Sequence, residues 1–200
     1  MFEWPYILDF WFGSLDDDGV PGKSYREQWF ADGRRFDRAM RRRFSSMVLL
    51  ASEEGLDHWR SAPGGALAEI LLLDQFSRNI YRRTAMAYRN DALAQRLARE
   101  GVAEGRELTL AHIQRAFFYM PYQHAENREI QREGVALYEQ LERTAQGRLR
   151  DVLSGFHRSA REHAQIIERF GRFPHRNRVL GRRSTATEAA FLEEAAPFGQ

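Results

Sequence analysis

Residues 67–82 read LAEILLLDQFSRNIYR, and the spacing of this stretch decides the fold class. At about 100° per residue, Leu67, Ile70 and Leu71 fall on one helical face, and Leu73, Phe76 and Ile80 fall nearly opposite. A helix that is apolar on two opposed faces is covered on both, so a central helix is predicted over about 65–81. Asp74, Arg78 and Tyr81 land on the Leu67 and Leu71 face, with Arg82 at its edge. These polar groups therefore point inward. A carboxylate four residues before a guanidinium stands in the favourable order on a helix, but burying such a pair costs free energy unless further hydrogen bonds satisfy it. A structural ion pair and the polar wall of a pocket would both look like this.

Outward from this helix, apolar residues keep helical spacing almost everywhere and no run alternates as a strand does. Pro5 and Gly13 bracket a short aromatic helix over 6–12, with Pro in the first turn and Gly as the stop. Further helices are expected over about 25–31, 35–54, 90–101, 108–119, 122–146 and 148–170. A last helix begins at Thr185, where Thr185 and Glu188 have the spacing of a capping box. Connections as short as Gly55, Pro63–Gly64 and Gly147 imply antiparallel neighbours. The expectation is a single all-α domain of stacked antiparallel helical hairpins.

The chain has 200 residues, 43% of them apolar, enough for one core without covalent staples. It contains no cysteine, which excludes disulfides, thiol chemistry and Cys-based zinc or iron–sulfur sites. Positive charge is gathered in one place: RFGRFPHRNRVLGRRSTAT, residues 169–187, has six arginines and no carboxylate, so against a chain total of +2 the remainder is −4. That overall balance is too weak to argue for a general nucleic-acid surface. The apolar N-terminus lacks a basic leader and is interrupted by Asp9, so neither a signal peptide nor a membrane span fits, and a cytoplasmic protein is expected.

Two further segments place polar groups on apolar faces. After Pro121, the Ile130, Gly134, Leu137, Leu141 stripe projects back through Gln123, Glu126 and Asn127, with His124 beside it. Glu126 there suits either a helix cap or a functional carboxylate. His124 and Glu126 are two apart, a spacing that does not bring both to one metal, so no metal site is expected. His163 shares a face with Phe156, Ala160 and Ile167, as a hydrogen-bonded core histidine would. In RFGRFPHRN, Gly171 ends the long helix and Pro174 forbids its resumption, leaving Arg172, His175, Arg176 and Asn177 on a turn anchored by Phe170 and Phe173. Arg178, Arg182 and Arg183 read as ordinary surface residues.

ILDFWFG, LLLDQFSRNIYR, FFYMPYQHAE and FGRFPHRNRVLGRRSTATEAAFL, in this order from Ile7 to Leu192, resemble the bacterial domain-of-unknown-function family numbered 924. The resemblance implies an all-α fold similar to tetratricopeptide-repeat proteins and no established activity. Ser77 and Ala125 depart from the family's pattern, where Pro and Ser are expected.

Three functional readings follow. The preferred one is a small-molecule pocket, binding or catalytic, for an anionic ligand. Asp74, Arg78, Arg82, Arg172, Arg176 and Asn177 would bind, while His124, Glu126 and His175 are the candidates for proton transfer. No P-loop, GxGxxG, HExxH or GxSxG is present, so no cofactor is expected and whether the protein is an enzyme stays open. The second is a scaffold presenting a groove to a protein partner. The third, RNA or single-stranded nucleic-acid binding through the arginine-rich segment, is disfavoured by the charge balance.

Overall fold

The computed structural model describes residues 3–30 and 34–194. Helices follow one another as α1 (Trp4–Phe12), α2 (Lys23–Phe30), α3 (Arg34–Ser52), α4 (Pro63–Leu71), α5 (Ser77–Ile80), α6 (Asp91–Ala103), α7 (His112–Phe118), α8 (Met120–Gln123), α9 (Arg128–Thr144), α10 (Gly147–Phe170) and α11 (Ala186–Glu194). The expected end of the second helix at Ala31 lies outside the described residues. Among those described, extended pairing is limited to one isolated bridge between Leu15 and Pro21, so the fold is all-α.

The central helix is continuous but not uniform. Between α4 and α5, Leu72–Phe76 form a π-helical turn, which inserts one residue into the helical phase. Ser77 Oγ donates to Leu72 O at 3.1 Å and accepts from Asn90 Nδ2 at 3.1 Å, so a hydroxyl braces the widened turn. Leu67, Leu71, Leu72, Leu73 and Phe76 are all fully buried, as the two-faced apolar pattern requires. At the helix start, a Cβ on Gly65 would come within 2.2 Å of Trp59 O, so only glycine lets the preceding turn pack this closely.

Around that helix the core is aromatic. Trp29 and Phe117 meet edge to face with centroids 4.6 Å apart, Phe117 and Phe156 at 5.4 Å, and Phe44 and Phe76 at 5.0 Å. Such pairs add about 0.5–1.5 kcal/mol each beyond their buried area. α9 and α10 form an antiparallel hairpin, with Arg132 paired to Glu168 at 3.2 Å and, toward the turn, Glu142 to His157 at 2.7 Å.

Two boundaries differ from the helices expected. The stretch 108–119 divides into a 3-10 turn over Arg106–Thr109 and α7. More consequentially, the helix expected over 122–146 breaks after Gln123 and restarts at Arg128. Asn127 is its N-cap, accepting from Glu129 N at 2.9 Å and Ile130 N at 3.0 Å. Glu126 is therefore not the cap, and His124, Ala125 and Glu126 stand in a break between helices.

Candidate functional site

Five segments meet around Asp74. The π-turn presents Asp74, α5 presents Arg78, and the 3-10 turn Ala85–Tyr88 followed by the first residue of α6 presents Tyr88 and Asp91. The break after α8 contributes His124. Gly171 stops α10 in the left-handed conformation at φ 71°, and Pro174 opens the 3-10 turn Pro174–Arg176 that delivers Arg176.

The charged groups form a chain. Asp74 Oδ1 lies 2.6 Å from His124 Nδ1 and accepts from Arg78 Nη2 at 3.1 Å, while Asp74 Oδ2 accepts from Gln75 Nε2 at 2.6 Å. Arg78 Nη2 also donates to Asp91 Oδ1 at 2.9 Å, and Asp91 Oδ2 accepts from Arg176 Nη1 at 3.1 Å. Both guanidiniums stack on Tyr88, Arg78 at 5.2 Å and Arg176 at 4.7 Å, and Arg176 meets Phe173 at 4.4 Å. Asp74, Arg78 and Arg176 are buried. Two carboxylates thus face two guanidiniums, and Nε of Arg78 and of Arg176 are buried without a hydrogen-bond partner.

Three histidines border this network. The rings of His124 and His163 lie 6.3 Å apart, His163 and Phe173 at 5.6 Å, and Phe173 and His175 at 5.4 Å. Burial, reinforced by Arg78, pushes His124 down to about 4 against the opposing pull of Asp74. Burial likewise takes His163 to about 4 and, with Arg176 beside it, His175 to about 3. All three imidazoles are therefore neutral at pH 7. Burial opposes ionisation of Asp74, yet His124, Arg78 and Gln75 hold its carboxyl well below the usual range. A neutral His124 does this through its Nδ1–H rather than through charge, which directs the Nε2 lone pair away from Asp74. Burial and the neighbouring Arg78 lower Arg176 to about 10.

The expected residues divide into three groups. Asp74, Arg78, His124, His175 and Arg176 come together. Arg82 does not: the extra residue of the π-turn and the end of α5 at Ile80 turn it to Asp37 on α3, where Nε donates to Oδ2 at 2.8 Å. Arg172, Asn177 and Glu126 form a second network that ties down the C-terminal segment. Arg172 forks onto Glu188 at 2.6 and 2.8 Å, and Asn177 Nδ2 donates to the same carboxylate at 3.3 Å. Glu126 takes the fork of Arg182 at 2.6 and 2.9 Å and accepts from Phe173 N at 2.8 Å. Arg182 is thus a clamp rather than an ordinary surface residue, whereas Arg178 and Arg183 are exposed. Glu188 also closes the expected capping box, accepting from Thr185 N at 2.7 Å.

Asp91, Tyr88 and Gln75 escaped the sequence reading. Gln75 adjoins Asp74 but points elsewhere on a regular helical wheel, and Asp91 and Tyr88 carry no periodic signal. A cavity of about 610 Å³ lies apart from both networks, between α2, α8 and α10, and Ser159 on its wall donates to Gln123 Oε1 at 3.1 Å. Among the described residues no group of three or more His, Asp or Glu is placed to hold a metal ion, and no helix is long and apolar enough to cross a membrane.

A solved structure of a protein of unknown function from Agrobacterium tumefaciens is similar to this chain, with 36% identity, a TM-score of 0.81, and coverage of 96% of this chain and 97% of that one. No curated protein matches the chain. The model of the family described as "Bacterial protein of unknown function (DUF924)" matches residues 7–196, and the chain belongs to that family.

Proposed function

We propose that the protein binds a small anionic molecule at the edge of the Asp74 network, with His124 as the group that takes or gives a proton. The observation that carries this reading is the Asp74–His124 pair: the contact is 2.6 Å, the Asp74 side chain is 1% exposed, and His124 keeps 15% of its side chain open. A buried carboxylate that holds an imidazole by Nδ1 leaves Nε2 as its basic atom, which is the arrangement a general base requires. The π-turn that carries Asp74 supports the same reading, because such turns are concentrated at functional sites.

The charge count adds a constraint. Asp74 and Asp91 already balance Arg78 and Arg176, so an entering anion has no unmatched cation to meet. It is accommodated with a proton, taken up by a neighbouring histidine whose pKa rises as the anion arrives. Binding therefore strengthens as pH falls toward 6.

Sulfate tests this by thermal shift, since it carries no titrating proton of its own in this range. Sulfate is expected to raise Tm in the natural protein, and His124→Gln and Arg176→Lys are expected to lose that response. Arg82→Ala keeps it, because Arg82 serves Asp37. Absence of any response in the natural protein to sulfate, phosphate or acetate overturns the proposal, as does an undiminished response in His124→Gln.

A further inference from the structure

The 610 Å³ cavity is of the size that small-molecule sites occupy, and its walls differ in kind from the Asp74 network. Its apolar surface comes from Trp29, Met120, Val152 and Phe156. On α10, Val152, Gly155, Phe156 and Ser159 follow the i, i+3, i+4, i+7 spacing of one helix face, so this helix turns a complete stripe toward the space. Gly155 is the opening in that stripe. A Cβ built there meets nothing within 4 Å, whereas Gly134 on the packed face of α9 would put one 2.7 Å from Tyr122.

Charge at the rim is uneven. Arg148 is held by Asp16, and by Asp18 at 3.4 Å. Arg26 donates Nε to Pro21 O at 3.2 Å, and among the described residues no carboxylate lies within ion-pair distance of its guanidinium. An apolar cleft edged by a guanidinium that no described carboxylate neutralises is complementary to a molecule that has an apolar body and a carboxylate head. Asp151 on the same wall disfavours a second negative group.

We propose that this cleft is a binding site for a small monocarboxylate with an apolar tail, its tail on Trp29, Met120 and Phe156 and its head on Arg26. The site is separate from the Asp74 network and does not depend on the reading given for that network.

Isothermal titration with decanoate and with decanol, which share a tail and differ in the head, tests the proposal on the full chain. Decanoate is expected to bind at least tenfold more tightly than decanol, and Arg26→Gln to remove that difference. Gly155→Leu fills the opening and is expected to weaken decanoate at least tenfold without lowering Tm, because leucine is the better helix former. His124→Gln leaves decanoate binding unchanged, which keeps the two sites distinguishable. Equal affinity for decanoate and decanol overturns the proposal, as does full decanoate affinity in a folded Gly155→Leu protein. A decanoate-insensitive dimer that Gly155→Leu dissociates would assign the cleft to a second copy of the chain and overturn it too.

Discussion

The charged centre at Asp74 and the apolar cleft at Gly155 draw on the same two regions of chain. The α8 region supplies Met120 to the cleft and His124 to the centre, and α10 supplies Ser159 to one and lies beside the other through His163. Their organisation is opposite. In the centre, nearly every charged group is spent on another, Asp74 and Asp91 with Arg78 and Arg176, at separations of 2.9–3.1 Å. In the cleft the space is open and the chemistry is sparse. A buried ionic network costs more to break than an apolar wall costs to remodel. The centre therefore governs stability and protonation, whereas the cleft tolerates change, and substitutions in the two regions differ in size and in sign.

The largest effect is expected from Asp74→Ala. Removing this carboxylate leaves Arg78 and Arg176 with one counter-charge between them and His124 Nδ1 without its acceptor, at a cost of about 3–5 kcal/mol. Urea unfolding reads this directly. A loss below about 1 kcal/mol would show that the network contributes little to stability and erase the contrast with the cleft.

Acid comes next. The histidines beside the centre take up protons near pH 6.5 when unfolded, but only near 4, 4 and 3 in the folded chain. Their folded pKa values are depressed, so the unfolded state binds more protons below pH 6.5 and stability falls as pH drops from about 6.5 toward 4. Between pH 7.5 and 5.5 the loss is about 1 kcal/mol for each histidine. Chemical unfolding at the two pH values measures it. A flat profile down to pH 5 would mean that the imidazoles titrate as exposed groups do.

The smallest change is expected in the cleft, with the opposite sign. Gly155→Ala adds a methyl group where nothing lies within 4 Å and removes a helix-interior glycine, so the protein gains about 0.5–1 kcal/mol. A rise in Tm of a few degrees is the expected reading. A fall would indicate that the α10 wall is packed rather than open.

Much of the fold was legible because apolar spacing records burial. The two-faced pattern of Leu67–Ile80 marked the central helix, Gly171 and Pro174 marked the turn that carries Arg176, and Thr185 with Glu188 marked the final cap. The site was legible only in part. Helical projection assumes 3.6 residues per turn, so it placed Arg78 near Asp74 but failed beyond the π-turn, where Arg82 departs to Asp37. The same assumption ran a single helix through His124–Asn127, where the chain breaks. Pairings across long separations, Arg176 with Asp91 and Arg182 with Glu126, leave no periodic trace. The cleft was invisible for another reason: Trp29, Met120 and Phe156 look like any core residues until the space beside them is seen.

If the Asp74 centre binds an anion as proposed, its balanced charges admit that anion only together with a proton. Calorimetric titration of the protein with sulfate at pH 6.5, repeated in buffers of different ionisation enthalpy, counts that proton directly. About one proton taken up per sulfate bound, with uptake abolished in His124→Gln, is the predicted result. Sulfate binding with no proton uptake, or no sulfate binding at all, would contradict it.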